Sequence, residues 1–202
     1  MPVDWTASPI ANLVSELGQG LQSLENHIAA ETLPPAKIRF PRGTIGTVRH
    51  FEHRLRFLQD DVVKRNIAYT LQLTDVNQWL INRFDLGLSA GSLFMKQATI
   101  TVITVMEAIL YADWSQRHRS AKRIPRFVEL IDLAGRDSRI SRPLQSELHK
   151  VRDIRNNIHL ARVGEAEGRK YDIGQYRHVV LLQQRLIEAL ANADPEKRPP
   201  AT

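Results

Sequence analysis

Apolar residues in this chain recur at three- and four-residue spacing, and nowhere do they alternate with polar ones over the length of a strand. No Asn-Gly or Asp-Gly pair marks a hairpin either. A 3.6-residue period places apolar side chains in one stripe along a helix, whereas a two-residue period would place them on one face of a strand. The pattern therefore predicts an all-α fold: a helical bundle with additional N-terminal helices.

Ile10, Leu13, Val14, Leu17, Leu21 and Leu24 share one side of a predicted helix over 9–30, with Ser8 as its cap and Pro9 in its first position. Leu33-Pro34-Pro35 breaks it, and the proline-bearing stretch to Gly43 reads as a linker. This divides the chain into an N-terminal helix and linker (1–43), a bundle (44–192) and a tail (193–202). The tail sequence Asp194-Pro195-Glu196-Lys197-Arg198-Pro199-Pro200 predicts disorder. Within the bundle, Val48, Phe51, Leu55 and Leu58 mark a helix over 44–59, extended by a segment from Val62 to Leu71. Thr74-Asp75 reads as the cap of a short helix through Trp79, Leu80 and Phe84 that ends at Gly87. The longest helix spans Ser89 to Arg117. A short one through Phe127, Leu130, Ile131 and Ala134 stops at Gly135. A helix opened by Ser141-Arg142-Pro143 runs to about Leu160, and Asp172 caps the last, which reaches Leu190.

With 202 residues, 43% of them hydrophobic and 25% charged, the chain has the balance of a globular domain with a real core. It contains no cysteine, which excludes a disulfide framework and thiolate metal sites and accords with a cytoplasmic location. The start, Met1-Pro2-Val3-Asp4-Trp5, lacks a basic segment followed by an apolar one, so no signal peptide is expected. The longest nearly apolar run, Ala98 to Ala112, contains three threonines and Glu107 and falls short of the ~20 residues a membrane span needs, so a core helix and no membrane association are expected. The formal net charge of +6 and pI near 9.9 lean toward a polyanionic partner, RNA or DNA.

Candidate chemistry concentrates in Arg152-Asp153-Ile154-Arg155-Asn156-Asn157-Ile158-His159. At ~100° per residue, Leu144, Leu148, Val151, Ile154 and Ile158 form one side of this helix. Arg152, Arg155, Asn156 and His159 lie together within ~100° on the neighbouring side. Arginine grips phosphate with two parallel hydrogen bonds, and histidine titrates near neutrality. Nearby guanidiniums favour the neutral imidazole, the form that accepts a proton. Such a set suits cleavage of RNA by its own 2′-hydroxyl, with His159 handling protons and the arginines stabilising charge on phosphate oxygens. The same residues would equally compose a solvated helix face.

Arg152-Asp153 with six residues between Arg152 and His159 resembles the Arg-x(4–6)-His motif of the HEPN superfamily. The order of helices resembles that family over about residues 88–192: a long helix with Met106-Glu107-Ala108-Ile109-Leu110-Tyr111, then Phe127-Val128-Glu129-Leu130-Ile131, the motif helix and a closing helix. The resemblance implies a four- to five-helix bundle, usually dimeric, and a metal-independent ribonuclease of the kind found in toxin–antitoxin, CRISPR and other defence systems. It implies RNA as substrate, a homodimer, and a possible antitoxin or other protein partner, with no cofactor. Arg152 and His159 would then be catalytic, aided by Arg155, with Asp153, Asn156 and Glu107 in support. One departure stands out. The family's common Arg-Asn pair falls here at Arg155-Asn156, only three residues short of His159. Either Arg152 is the motif arginine at the longest permitted spacing, or the site is degenerate and the domain binds RNA, nucleotide or a partner protein without cleaving.

Glu107 is the only charge between Ala98 and Ala112, and a carboxylate in such a setting needs a partner. Its expected partners are Arg155, Arg152 or His159. Arg119, Lys122, Arg123 and Arg126, within a basic cluster that also includes Arg117 and His118, form the best nucleic-acid footprint outside the motif. Asp113, His118 and Arg119 read as solvated surface residues, and Trp79 and Phe84 as core. His50, Glu52 and His53 lack a further ligand set, so no metal site is expected. No phosphate-binding glycine loop and no nucleophile elbow is present.

Overall fold

A computed structural model describes residues 12, 13, 15–23, 45–83, 87–120, 123–157 and 171–193. No strand occurs among them. The chain divides into two compact units, Met1–Phe40 and Pro41–Thr202.

In the first unit, residues 12–13 and 15–23 are helical (α1). Leu13, Leu17 and Leu21, one turn apart along this helix, are all exposed. The ends of the predicted 9–30 helix and the 33–43 linker lie outside the described residues, as does the 194–202 tail.

The second unit contains α2 (Val48–Arg54), α3 (Asp61–Arg83), α4 (Leu88–Arg117), α5 (Phe127–Arg136), α6 (Arg142–Asn157) and α7 (Ile173–Asn192). Helix α4 is the centre, with α3, α5, α6 and α7 packed against it; α2 lies on α3, and α6 touches both α5 and α7. The core follows from the stripes. Val102, Ile103, Met106, Ile109 and Leu110 of α4 meet Ile131 of α5, Leu148 and Val151 of α6, and Val179, Leu182 and Leu186 of α7. Fully burying one such side chain contributes about 1.5–3 kcal/mol. Length and composition alone would let Ser89–Arg117 cross a membrane. In the bundle, its apolar side chains are what the four neighbouring helices pack on.

The boundaries differ from expectation in three places. Helix α2 ends at Arg54 rather than at 59, and the chain turns so that Leu55, Phe57 and Leu58 all reach the core. Gln116 of α4 supports this turn, accepting from the Gln59 amide at 3.0 Å and donating to the Phe57 carbonyl at 3.1 Å. Thr74-Asp75 does not cap a helix but lies inside α3, which runs unbroken from Asp61 to Arg83. The Thr74 hydroxyl donates to the Thr70 carbonyl one turn back, and the Asp75 carboxylate accepts from the Gly46 amide at 2.9 Å. Local sequence reads the capping propensity of these two residues, but tertiary partners decide their use. Helix α5 passes through Gly135 and ends at Arg136. The left-handed residue of the following turn is Ser138 (φ 55°), while Gly135 leaves room for the Gln145 side chain of α6, into which a Cβ would collide. Helix α6 is described only to Asn157, so the predicted stretch to Leu160 lies beyond the described residues. Asp172 caps α7 as its sequence predicts, accepting from the Gln175 amide at 2.8 Å.

Candidate functional site

Helix α6 buries Leu144, Leu148 and Val151, with Ile154 partly packed beside them. Arg155 stands at the border of this apolar face, and its guanidinium turns inward to Glu107 on α4. Nη1 donates to Oε1 at 3.3 Å, and Nη2 lies 3.0 Å from Oε2. The same guanidinium sits 5.9 Å from the centre of the Phe127 ring, within cation–π range. The lone acidic residue of the apolar run thus has the partner its sequence position demands. The two-point geometry joins α6 to α4 in a defined orientation of the two side chains.

Arg152, one turn earlier, faces another way. Its Nη2 and Nε both donate to Oδ1 of the neighbouring Asp153, at 2.6 and 3.2 Å. Asn156 is exposed beyond it. Arg152, Asp153, Arg155 and Asn156 therefore occupy the last turns of α6, with Glu107 against Arg155. His159 lies outside the described residues.

The basic cluster is less free than its sequence implies. Arg119 is exposed and donates to the Gln59 side chain at 2.8 Å. Arg123 pairs with Glu129 at 2.8 Å, and Arg126 approaches the same carboxylate at 3.6 Å. The Arg126 amide donates to Glu129 at 2.7 Å, closing the first turn of α5. This amide, and then Arg123, hold the Glu129 carboxyl below its usual range. Lys122 lies outside the described residues. His118 is half-buried, not a solvated surface residue, because its ring stacks on Trp114 with centroids 5.2 Å apart.

Asp113 is a clear correction. Rather than a solvated residue, it is 1% exposed and binds two arginines. Arg117 reaches it at 3.0 Å, and Arg139 reaches it at 2.6 and 3.3 Å while also donating to the Ala193 carbonyl at 3.1 Å. Arg117 extends the network to Asp137 at 2.8 Å and holds that carboxyl below its usual range. Asp113 thus ties the end of α4 to the α5–α6 turn and to the end of α7. The i, i+4 spacing to Arg117 is visible in sequence; Arg139, 26 residues on, is not.

Residues missed from sequence lie on the side of α6 towards α5: Arg142, Gln145 and His149 recur at helical spacing in line with the expected Arg152 and Asn156, all five within an arc of ~80°. Asp132 of α5 holds the middle of this stripe, accepting from Gln145 Nε2 at 3.0 Å, with His149 Nε2 also 3.0 Å away. The stripe begins at an open groove of about 870 Å³ between the α5–α6 turn and the end of α7, lined by Arg136, Ser138, Arg139, Ser141 and Arg142 among others. The recurring polar side chains were the available signal. At the other end of the fold, Glu52 of the His50/His53 pair accepts from Arg65 at 2.9 Å. Among the described residues, no cluster of three metal-ligating side chains occurs.

These features define an all-helical bundle whose central helix contacts an arginine-bearing neighbour with a polar stripe beside α5. Comparison with protein-family models, curated proteins and solved structures finds no match to this chain. The likeness to HEPN domains over about residues 88–192 therefore rests on the motif and the helix order alone.

Proposed function

We propose that this chain is a HEPN-like, metal-independent endoribonuclease, acting in the cytoplasm as a homodimer within a defence or toxin-type system. The observation that carries the reading is the anchoring of Arg155 by Glu107 and Phe127. It ties the motif helix to the central helix, while Arg152, one turn earlier, is left to pair with its neighbour Asp153. Arg152 would bind the scissile phosphate and stabilise charge on its non-bridging oxygens. Neutral His159 would take the proton of the 2′-hydroxyl as that oxygen attacks phosphorus, and a proton would pass to the departing 5′-oxygen. The products are a 2′,3′-cyclic phosphate and a free 5′-hydroxyl.

Arg152 and His159 are seven residues apart, about 10 Å along a helix. Two motif helices crossing at a two-fold axis would bring Arg152 of one chain beside His159 of the other. An antitoxin or other protein partner would act by covering this face.

A second reading, a catalytically silent HEPN-like module that binds RNA, nucleotide or a partner protein, is favoured by one contact. Asp153 engages Arg152 through two nitrogens and competes with any phosphate. Incubating the purified protein with labelled RNA in EDTA, beside a His159→Ala control, separates the two. Cleavage by the wild type and not by the variant supports the nuclease; RNA retained intact by both supports the silent module.

A further inference from the structure

Eight of the basic residues and only three acidic ones lie between Arg117 and Arg142, so most of the net charge of +6 arises in this short stretch. Several of these cations are committed within the fold. Arg117 and Arg139 hold Asp113, and Arg123 holds Glu129. Arg136 and Arg142 differ. Both are exposed and line the groove at the α5–α6 turn. Arg136 touches Asp137 through Nε, at 3.3 Å, and its side chain stays 69% exposed. Asp137 is already satisfied chiefly by Arg117. Arg142 has no ion-pair partner among the described residues. The groove's own acidic residue, Asp132, is engaged by Gln145 and His149. The negative end of α7 is covered where Arg139 donates to the Ala193 carbonyl.

We propose that this groove and the polar stripe of α6 beside α5 form a track for the phosphodiester backbone of single-stranded RNA, with Arg136 and Arg142 as its phosphate contacts. Guanidiniums suit the task because each offers a planar fork of donors matched to phosphate oxygens. From Arg142 the stripe continues through Gln145 and His149 to Arg152, about 15 Å along the helix, the span of a few nucleotides. Its delivery of the strand to Arg152 rests on the nuclease reading above; the phosphate contacts at the groove do not.

The test is fluorescence anisotropy of a labelled single-stranded RNA, with cleavage followed separately on the same samples. The double charge reversal Arg136→Glu/Arg142→Glu is compared with Lys150→Glu/Arg49→Glu, which makes the same change in net charge at exposed positions away from the groove. The groove variant is expected to weaken binding at least about tenfold more than the control. Arg136→Gln/Arg142→Gln should reduce the salt slope by about 1.4, since each single-strand phosphate contact contributes about 0.7. Equal weakening by both reversals, or wild-type protein that leaves RNA unbound at low salt, overturns the track. So does preferential binding of polyglutamate of matched charge, which would make the groove a site for acidic peptide. Groove-dependent binding with no cleavage by the wild type removes the nuclease and keeps the track. Cleavage with binding indifferent to Arg136 and Arg142 does the reverse.

Discussion

Arg155 and Glu107, 48 positions apart in sequence, meet through the two terminal guanidinium nitrogens and both carboxylate oxygens, at 3.3 and 3.0 Å. This pair is the seam between the central helix and the motif helix. Each side chain retains about a third of its exposure (33% and 27%), so solvent screens the attraction. Its main effect is to tie α6 to α4 at one point, beside the apolar contacts of Leu148 and Val151.

Glu107→Ala is accordingly expected to cost about 1 kcal/mol in urea unfolding, the scale of a half-exposed charged hydrogen bond. Glu107→Gln should recover part of this. A loss of RNA cleavage much larger than the loss of stability would place Glu107 in positioning the motif helix; equal losses would leave it a structural partner only.

Asp113→Ala is expected to be far more damaging. It removes the carboxylate that Arg139, 10% exposed, engages through two nitrogens, beside the buried end of α4. Removing one partner of a buried ion pair costs about 3–5 kcal/mol. The variant's unfolding midpoint in urea checks this, and a loss below about 1 kcal/mol would mean that Arg139 finds water instead.

Tyr176 gives a pH dependence with a definite sign. Burial pushes its phenol up to about 12 from an ordinary value of 10.0, with the Asp75 charge adding to the shift. Below the ordinary value both folded and unfolded chains keep the proton. Between the two values the unfolded chain releases it and the folded chain does not, so stability falls as pH rises through that window. Tyr176→Phe loses only a long 3.5 Å hydrogen bond to the Thr74 carbonyl. It should therefore be nearly as stable as the wild type at about pH 8 and lose less stability on going to about pH 11. Urea unfolding at the two pH values measures the difference.

The composite site predicts complementation. Arg152→Ala and His159→Ala are each expected to abolish RNA cleavage while leaving the dimer intact. Mixing the two inactive proteins should restore activity, because a mixed dimer retains one intact Arg152–His159 pair. A protein that is monomeric at micromolar concentration, or cleavage indifferent to either substitution, would sink the dimer-based mechanism.

What the sequence determined by itself is the helical class, the long central helix, the cap at Asp172 and the division of α6 into apolar and polar sides. Each depends on neighbours within about four residues, and helical periodicity displays those directly. The requirement that Glu107 find a partner was also legible, because a single carboxylate interrupted an apolar run. Tertiary structure alone decided which partner it took, and it reversed several local readings. Thr74-Asp75 had the chemistry of a cap, yet the helix continued because Asp75 receives the Gly46 amide. Asp113 resembled surface until Arg139, 26 residues away, was brought onto it. Gly135 suggested a stop but supplied space for Gln145. The groove between the α5–α6 turn and the end of α7 likewise joins residues from Asp132 to Ala193. Local propensity specifies which segments become helices, but contacts between distant segments follow from how their stripes pack on α4, and no short window of sequence contains that.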